Sequence, residues 1–401
     1  VRGALKRLAA EDPGEVLKPG YEDVFEAVEA WMREVLGEDS GWIWIGRSRN
    51  DHVAAALRLY ILERSSILLK TLAGARRLLI GKARAYEGVV LPGYTHGQPS
   101  QVLTGACLLL AYEESLSWAF KAILSSLEPS LESPLGAAAG AGSLVGLDEE
   151  WIASSLGFKT VYSSPYHAAG SRFFLESILA GLMLLGVEAS RIAEDLISLA
   201  EAGLARIPDS HIATSSIMPH KRNPVTLEVV RARSSRLLGA AMAGLGIPLK
   251  LRLSYNLDLQ EANQVLYGAM EDAVLIAEVL RDLAAGLELD PGQGRRLAEA
   301  YKPWSSELAE AIALRESIPL RRAYAMVAEA YRGGGVEDLS RRYGVDHGTV
   351  AVLRRTGCSR DRIRGVLEAR MRLLEEDSRR VEGLTPAGGF LRRALEVLDE
   401  A

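Results

Sequence analysis

Residues 214–228 read Thr-Ser-Ser-Ile-Met-Pro-His-Lys-Arg-Asn-Pro-Val-Thr-Leu-Glu. This places a hydroxyl pair (Ser215, Ser216), a cation (Lys221), an amide (Asn223) and a carboxylate (Glu228) in one short segment. Pro224 suits a first helical position, where its missing N–H costs nothing, and Asn223 before it is a preferred N-cap. The unpaired N–H groups and positive end of such a helix favour an anion, and Lys221 adds a full charge nearby. The array suits holding a carboxylate while a neighbouring serine moves a proton.

Two further polar stretches stand at predicted helix entrances. Gly46-Arg47-Ser48-Arg49-Asn50-Asp51 combines guanidinium forks with short hydroxyl and amide groups, a set that recognises carboxylates or caps a helix. Gly93-Tyr94-Thr95-His96-Gly97-Gln98-Pro99 is read as a polar loop ahead of a long helix. A histidine there could shuttle protons near neutral pH or simply hydrogen-bond within its loop.

Long helices must position these groups. Apolar residues recur at three and four spacing through 21–36, 51–86, 101–127, 171–205, 224–244 and 259–287. Several of these segments carry apolar residues around more than one face, as bundle helices do. Strand signals are weak. The glycine-rich span 135–146 reads as a flexible connection; it lacks the Gly-Lys-Ser/Thr ending of a phosphate loop. Composition shifts near Gly46 and near residue 300. The expected organisation is therefore an N-terminal helical domain over 1–46, a central long-helix bundle over 47–300 and a small helical domain over 301–401.

The 401 residues, 48% of them hydrophobic, suffice for a large core. A net charge of −5 argues against general affinity for nucleic acid or anionic membranes. Asp338–Val350 has the outline of a helix-turn-helix, but acids interleave its arginines. The apolar run 178–187 is too short to span a bilayer. Two cysteines form no framework and fit a reducing compartment, and six scattered histidines show no metal-ligand spacing. A soluble cytoplasmic protein without a metal is expected. The chain opens on Val1 within a charged helical pattern, as it would if the recorded start were late.

The serine segment resembles the signature loop of the fumarase/aspartase superfamily, Gly-Ser-Ser-x-Met-Pro-x-Lys-x-Asn-Pro, with Thr214 in place of the glycine. The three motifs in their order, followed by Tyr255-Asn256-Leu257-Asp258-Leu259-Gln260-Glu261, resemble the argininosuccinate lyase family. That resemblance implies an all-α fold, with a long central bundle assembled into a homotetramer whose active sites draw on several chains. It implies β-elimination that releases fumarate from a dicarboxylate substrate, with no cofactor. Carried over position by position, it makes Ser215 the base and Lys221 an electrostatic aid. His96 and Glu228 become a proton relay. Ser48, Arg49, Asn50, Thr95, Asn223, Tyr255 and Gln260 become substrate contacts. A non-catalytic relative would keep the fold without the chemistry.

The departures fall on the substrate side. Trp44-Ile45 stand where the family has His-Thr, Phe25 and Cys107 replace histidines, and Asn263 replaces a lysine contact. That last change could cost about 1.5–3 kcal/mol of substrate interaction. His167–Phe173 aligns with Asp-Ala-Val-x-Asp-Arg-Asp and loses all three acids. A related lyase acting on a different amino-substituted succinate is the alternative reading.

Overall fold

A computed structural model describes residues 1–386 and 389–400. The helices that carry the argument are α1 (Arg2–Ala10), α2 (Val24–Leu36), α3 (Arg49–Ala85), α4 (Gly105–Ser126), α5 (Phe173–Glu201), α6 (Val225–Gly246) and α7 (Glu261–Gly286). They are followed by α8 (Pro291–Tyr301), α9 (Ser305–Glu316), α10 (Leu320–Gly333), α11 (Val336–Tyr343), α12 (Arg360–Glu382) and α13 (Phe390–Glu400). Helix α3 runs for 37 residues, about 55 Å at 1.5 Å per residue. It starts in a capping box: Ser48 Oγ accepts from Asn50 N–H, and Asp51 accepts from Ser48 N–H at 3.1 Å. Lys82 and Arg84 close its last turn, where they complement the helix dipole.

Helices α3 to α7 form one bundle. Its core holds Ile61, Leu72, Phe120, Phe174, Leu182 and Ile276, each fully or almost fully buried. Helices α5 and α6 approach closely because Gly244 leaves room for the Leu179 side chain. The apolar run read as ten residues belongs to the 29-residue α5, which by length and composition alone could cross a bilayer. Here 50% of its most apolar window is buried inside the chain, as in a core helix. A charged knot crosses the bundle: Arg76 pairs with Glu113 at 2.9 Å and with Asp377 at 2.8 Å, and Arg370 reaches the other oxygen of Glu113.

The ends of the bundle are distinct. Leu289 N–H donates to the Tyr86 hydroxyl at 3.2 Å, and Ala205 pairs with Leu289 in a two-residue antiparallel strand contact. The C-terminal ends of α3, α5 and α7 therefore converge, and these three helices run parallel. Their N-terminal ends gather at the opposite pole.

Among the described residues the strands form four two-stranded pairings. Only one of them is longer than a dipeptide: β1 (Val90–Thr95) with β2 (Gln98–Thr104). The segment read as a loop is thus a β-hairpin. Gly93 allows the chain to bulge there, since a Cβ would lie 2.9 Å from Gln101 O.

A small core around Ala4, Val16, Trp31 and Met32 belongs to residues 1–46. A second core joins α9, α10 and α11 around Trp304, Leu308, Val327 and Tyr343, and includes Val102 from the hairpin. Residues 301–401 read as one unit in the sequence, yet Ile363, Leu367, Leu374 and Val381 of α12 join the bundle core instead.

The cysteines differ from expectation. Cys107 and Cys358 form a disulfide that closes 251 residues of chain, with Cα atoms 5.7 Å apart. Neither residue is a thiol, so their usage is no sign of a reducing compartment.

Candidate active site

The predicted site residues fall into three groups. At the pole formed by the N-terminal ends of α3, α5 and α7 stand Ser48, Arg49 and Asn50. Ser48 is spent partly on capping α3. Arg49 pairs with Glu22 at 3.2 Å and Asp23 at 3.4 Å, so its guanidinium is tied to the N-terminal region. Asp51 is fully buried and accepts from Gly136 N–H at 3.2 Å and Ala138 N–H at 3.0 Å. The first half of the glycine-rich span is therefore pinned and buried, contrary to a flexible connection. Two fixed amide donors on one carboxylate suffice to order it.

That ordered turn positions the next part. Gly140 faces Ser254 and Tyr166, and Gly170 lies directly under the Leu253–Ser254 backbone, where a Cβ would not fit. Asn256 Nδ2 donates to Arg252 O at 3.1 Å and to Ser254 O at 2.7 Å. The turn so built presents Tyr255, whose hydroxyl accepts from Gln260 Nε2 at 3.0 Å. Thus Ser48, Asn50, Tyr255 and Gln260 share one pole. Asn263, one turn further along α7, buries a side-chain oxygen that has no hydrogen-bond partner among the described residues.

The second group is the hairpin tip. Thr95 pairs with Gln98, leaving a two-residue turn of His96 (φ 55°) and Gly97 (φ 70°). Both residues adopt the left-handed region, as a type I′ hairpin turn requires. Thr95 and His96 are exposed. The strand is held from outside: Arg354 Nη1 donates to Val102 O at 2.6 Å, and Gln101 Nε2 donates to Glu307 at 3.0 Å.

The third group is the serine loop. Short strands β3 (Ala213–Thr214) and β4 (Arg222–Asn223) pair antiparallel and bring its ends together. Ser215 is half-buried, and its Oγ accepts from Met218 N–H at 3.2 Å and Ile217 N–H at 3.4 Å. Lys221 and Glu228 are exposed, Glu228 in the first turn of α6. Asn223 does not cap this helix. It is consumed in β4, Pro224 takes the cap position without a side-chain bond, and the helix begins at Val225.

His211 was missed by sequence reasoning. It is 4% exposed, with Nδ1 2.9 Å from Thr226 Oγ1 and Nε2 3.0 Å from Asp282 Oδ2. It joins the segment before the loop to the helix after it and to the last turns of α7. Its signal was faint: a lone histidine in Pro-Asp-Ser-His-Ile, with both partners remote in sequence.

The serine loop and the hairpin lie at the pole where α3, α5 and α7 end. The α3 entrance and Tyr255 lie at the pole where they begin. The length of α3, about 55 Å, separates the two sets within one chain. The serine pole offers a half-buried hydroxyl, a lysine, a helix N-terminus and a carboxylate, a set able to move a proton beside a bound anion. The other pole offers hydroxyl and amide groups suited to orienting a polar substrate.

A lyase family profile matches residues 2–239. The argininosuccinate lyase of Pyrobaculum calidifontis is 41% identical over 351 residues, covering 84% of this chain and 81% of that protein. The argininosuccinate lyase of Sulfurisphaera tokodaii is 38% identical over 320 residues, covering 79% and 70%. Among solved structures, EDDS lyase in complex with formate superimposes with a TM-score of 0.85 at 19% identity, covering 99% of this chain and 84% of that one. A class II fumarase from Schistosoma mansoni gives a TM-score of 0.71 at 16% identity, covering 82% and 77%. At such identities these two structures speak to the fold alone.

Proposed function

The chain belongs to the argininosuccinate lyase family, and from that premise we propose that it splits argininosuccinate into arginine and fumarate, a step of arginine biosynthesis. It is a carbon–nitrogen lyase. The observation that carries the reading is the 41% identity to the Pyrobaculum calidifontis enzyme over most of both chains.

In the proposed mechanism Ser215 takes the proton from the carbon beside a substrate carboxylate. That proton is weakly acidic, and its removal pushes a second negative charge onto the carboxylate. Lys221, Asn223 and the amides opening α6 are the donors for that charge. The electron pair then forms the carbon–carbon double bond of fumarate as the C–N bond breaks. His96, with Glu228, passes a proton to the departing guanidino nitrogen. Serine is a weak base, so the loop must close and exclude water around Lys221. Thr95, Ser48 and Asn50 hold carboxylates, joined by Arg49 once it exchanges Glu22 and Asp23 for substrate, and Tyr255 and Gln260 hold the arginine-derived half.

We place each active site between chains. The two poles of one chain stand too far apart to share a small substrate, whereas antiparallel copies bring unlike poles together. Exposed Leu238, Met242, Leu245 and Leu249 fall at four, three and four spacing on and just beyond α6, one apolar stripe suited to self-association. A cytoplasmic homotetramer is the assembly proposed.

The test is purified protein with argininosuccinate, followed by fumarate absorbance. Turnover by the assembled oligomer is expected, and an assembled oligomer that forms no fumarate overturns the reading. The unpartnered oxygen of Asn263 favours a second reading, a differently substituted aspartate as substrate. Comparing kcat/KM for argininosuccinate and other N-substituted aspartates separates the two.

A further inference from the structure

Two arginines are buried in the bundle without a carboxylate partner among the described residues. Arg58 is 2% exposed and Arg172 is 3% exposed. Arg58 Nη1 donates to Ala54 O at 3.2 Å, and its guanidinium lies 4.1 Å from the centre of the Phe174 ring. Arg172 Nη1 donates to Ser171 O at 3.1 Å. The Nε atoms of both arginines are buried with no hydrogen-bond partner among the described residues. Burial, and then the charge of Arg172, push Arg58 down to about 9; burial pushes Arg172 down to about 10. Arginines at this depth ordinarily face an acid.

Arg58 lines a cleft of about 480 Å³ between the end of α4 and the start of α5. Glu132, Thr160, His167 and Ser171 also line it, with Glu128 exposed at its rim. The charge of Glu132 reaches Arg58, yet no ion pair joins the two among the described residues. The cleft is thus lined by a cation and an anion that are not paired with one another. A bare oxyanion would be repelled by Glu128 and Glu132, and a bare cation by Arg58. A ligand bearing both charges satisfies each side.

We propose that this cleft binds a free amino acid as its zwitterion, with the carboxylate on Arg58 and the ammonium toward Glu132. The hydroxyls of Ser171 and Thr160 accept or donate the remaining hydrogen bonds. This site is independent of the lyase reading and uses none of its residues.

Equilibrium dialysis of the whole protein against radiolabelled glycine tests it. Saturable binding of one glycine per chain is expected, displaced by L-alanine but not by equal acetate, methylammonium or fumarate. Glu132→Gln should weaken glycine binding at least tenfold while leaving fumarate production unchanged. Ser171→Asp puts a carboxylate into the lining of the cleft that Arg58 also lines. It should abolish glycine binding and raise the Tm of the ligand-free protein, which also shows that the variant folds. Absence of saturable binding overturns the proposal. So does displacement by acetate alone, displacement by fumarate, or unaltered affinity in both variants.

Discussion

His211 and Thr226 are joined by a 2.9 Å hydrogen bond that closes the serine loop at its base. The same imidazole reaches Asp282 at 3.0 Å, so one buried ring couples the loop to two helices. His211→Phe fills the space but leaves Thr226 and Asp282 without this partner. The expected result is a stability loss of about 1–3 kcal/mol and a kcat that falls more than KM changes. Steady-state kinetics with urea denaturation check both. An unchanged kcat would mean that the clamp plays no part in setting the loop.

Mixing two inactive variants probes the placement of the site. Ser215→Ala should lower kcat by about 10²–10⁴ with little change in Tm, because the hydroxyl makes two modest backbone contacts. Ser48→Ala disables the opposite pole. When both variants are unfolded together and refolded, some mixed oligomers gain an intact site and activity returns. Sites contained within single chains would show no recovery.

The Cys107–Cys358 link ties the start of α4 to the segment before α12. Cys358→Ser should lower stability by about 2–4 kcal/mol, since the bond closes a very long loop. A reducing agent should give the same shift in the parent protein and none in the variant. Coincident melting curves with and without reductant would exclude a linked pair in solution.

Glu113 is fully buried and compensates Arg76 and Arg370 together. Glu113→Gln keeps the shape but leaves two guanidiniums short of charge. A loss of about 3–5 kcal/mol is expected in urea denaturation. A loss below 1 kcal/mol would show that Asp377 alone neutralises the knot.

His52 stacks on Phe25, with ring centres 5.7 Å apart, beside Trp44. Burial lowers its pKa, Arg47 adds to this and Asp51 opposes it. The unfolded chain therefore binds this proton more readily than the folded one. The contribution of neutral His52 to stability is present above about pH 6.5 and is lost as pH falls through the lower folded value. His52→Phe cannot titrate, so its stability relative to the parent should improve from pH 7.5 to pH 5. Urea midpoints at the two pH values measure this, and a constant difference contradicts it.

Periodicity made the long helices legible, because apolar faces at three and four spacing leave a strong local trace. Thr95 and His96 are legible as chemistry, but their surroundings read as a loop. Gly93, Gly97 and Pro99 resemble punctuation, and the alternation of a two-stranded ribbon is too short to stand out. Asn223 looked like a cap because local preference favoured it, but pairing with Ala213 took precedence. The disulfide was invisible, since no local rule joins residues 251 positions apart. Asp51 stands within a legible motif, but its hold on Gly136 and Ala138 depends on a tertiary approach.

Helix α3 is also a ruler. Inserting one residue in its middle would advance the hairpin by about 1.5 Å and rotate it by about 100° relative to the Ser48 turn. If unlike poles of neighbouring chains must meet, the number of residues between Ser48 and His96 is itself a functional quantity. Substitutions along the shaft can be absorbed by repacking, whereas a single insertion would throw every composite pocket in the assembly out of register.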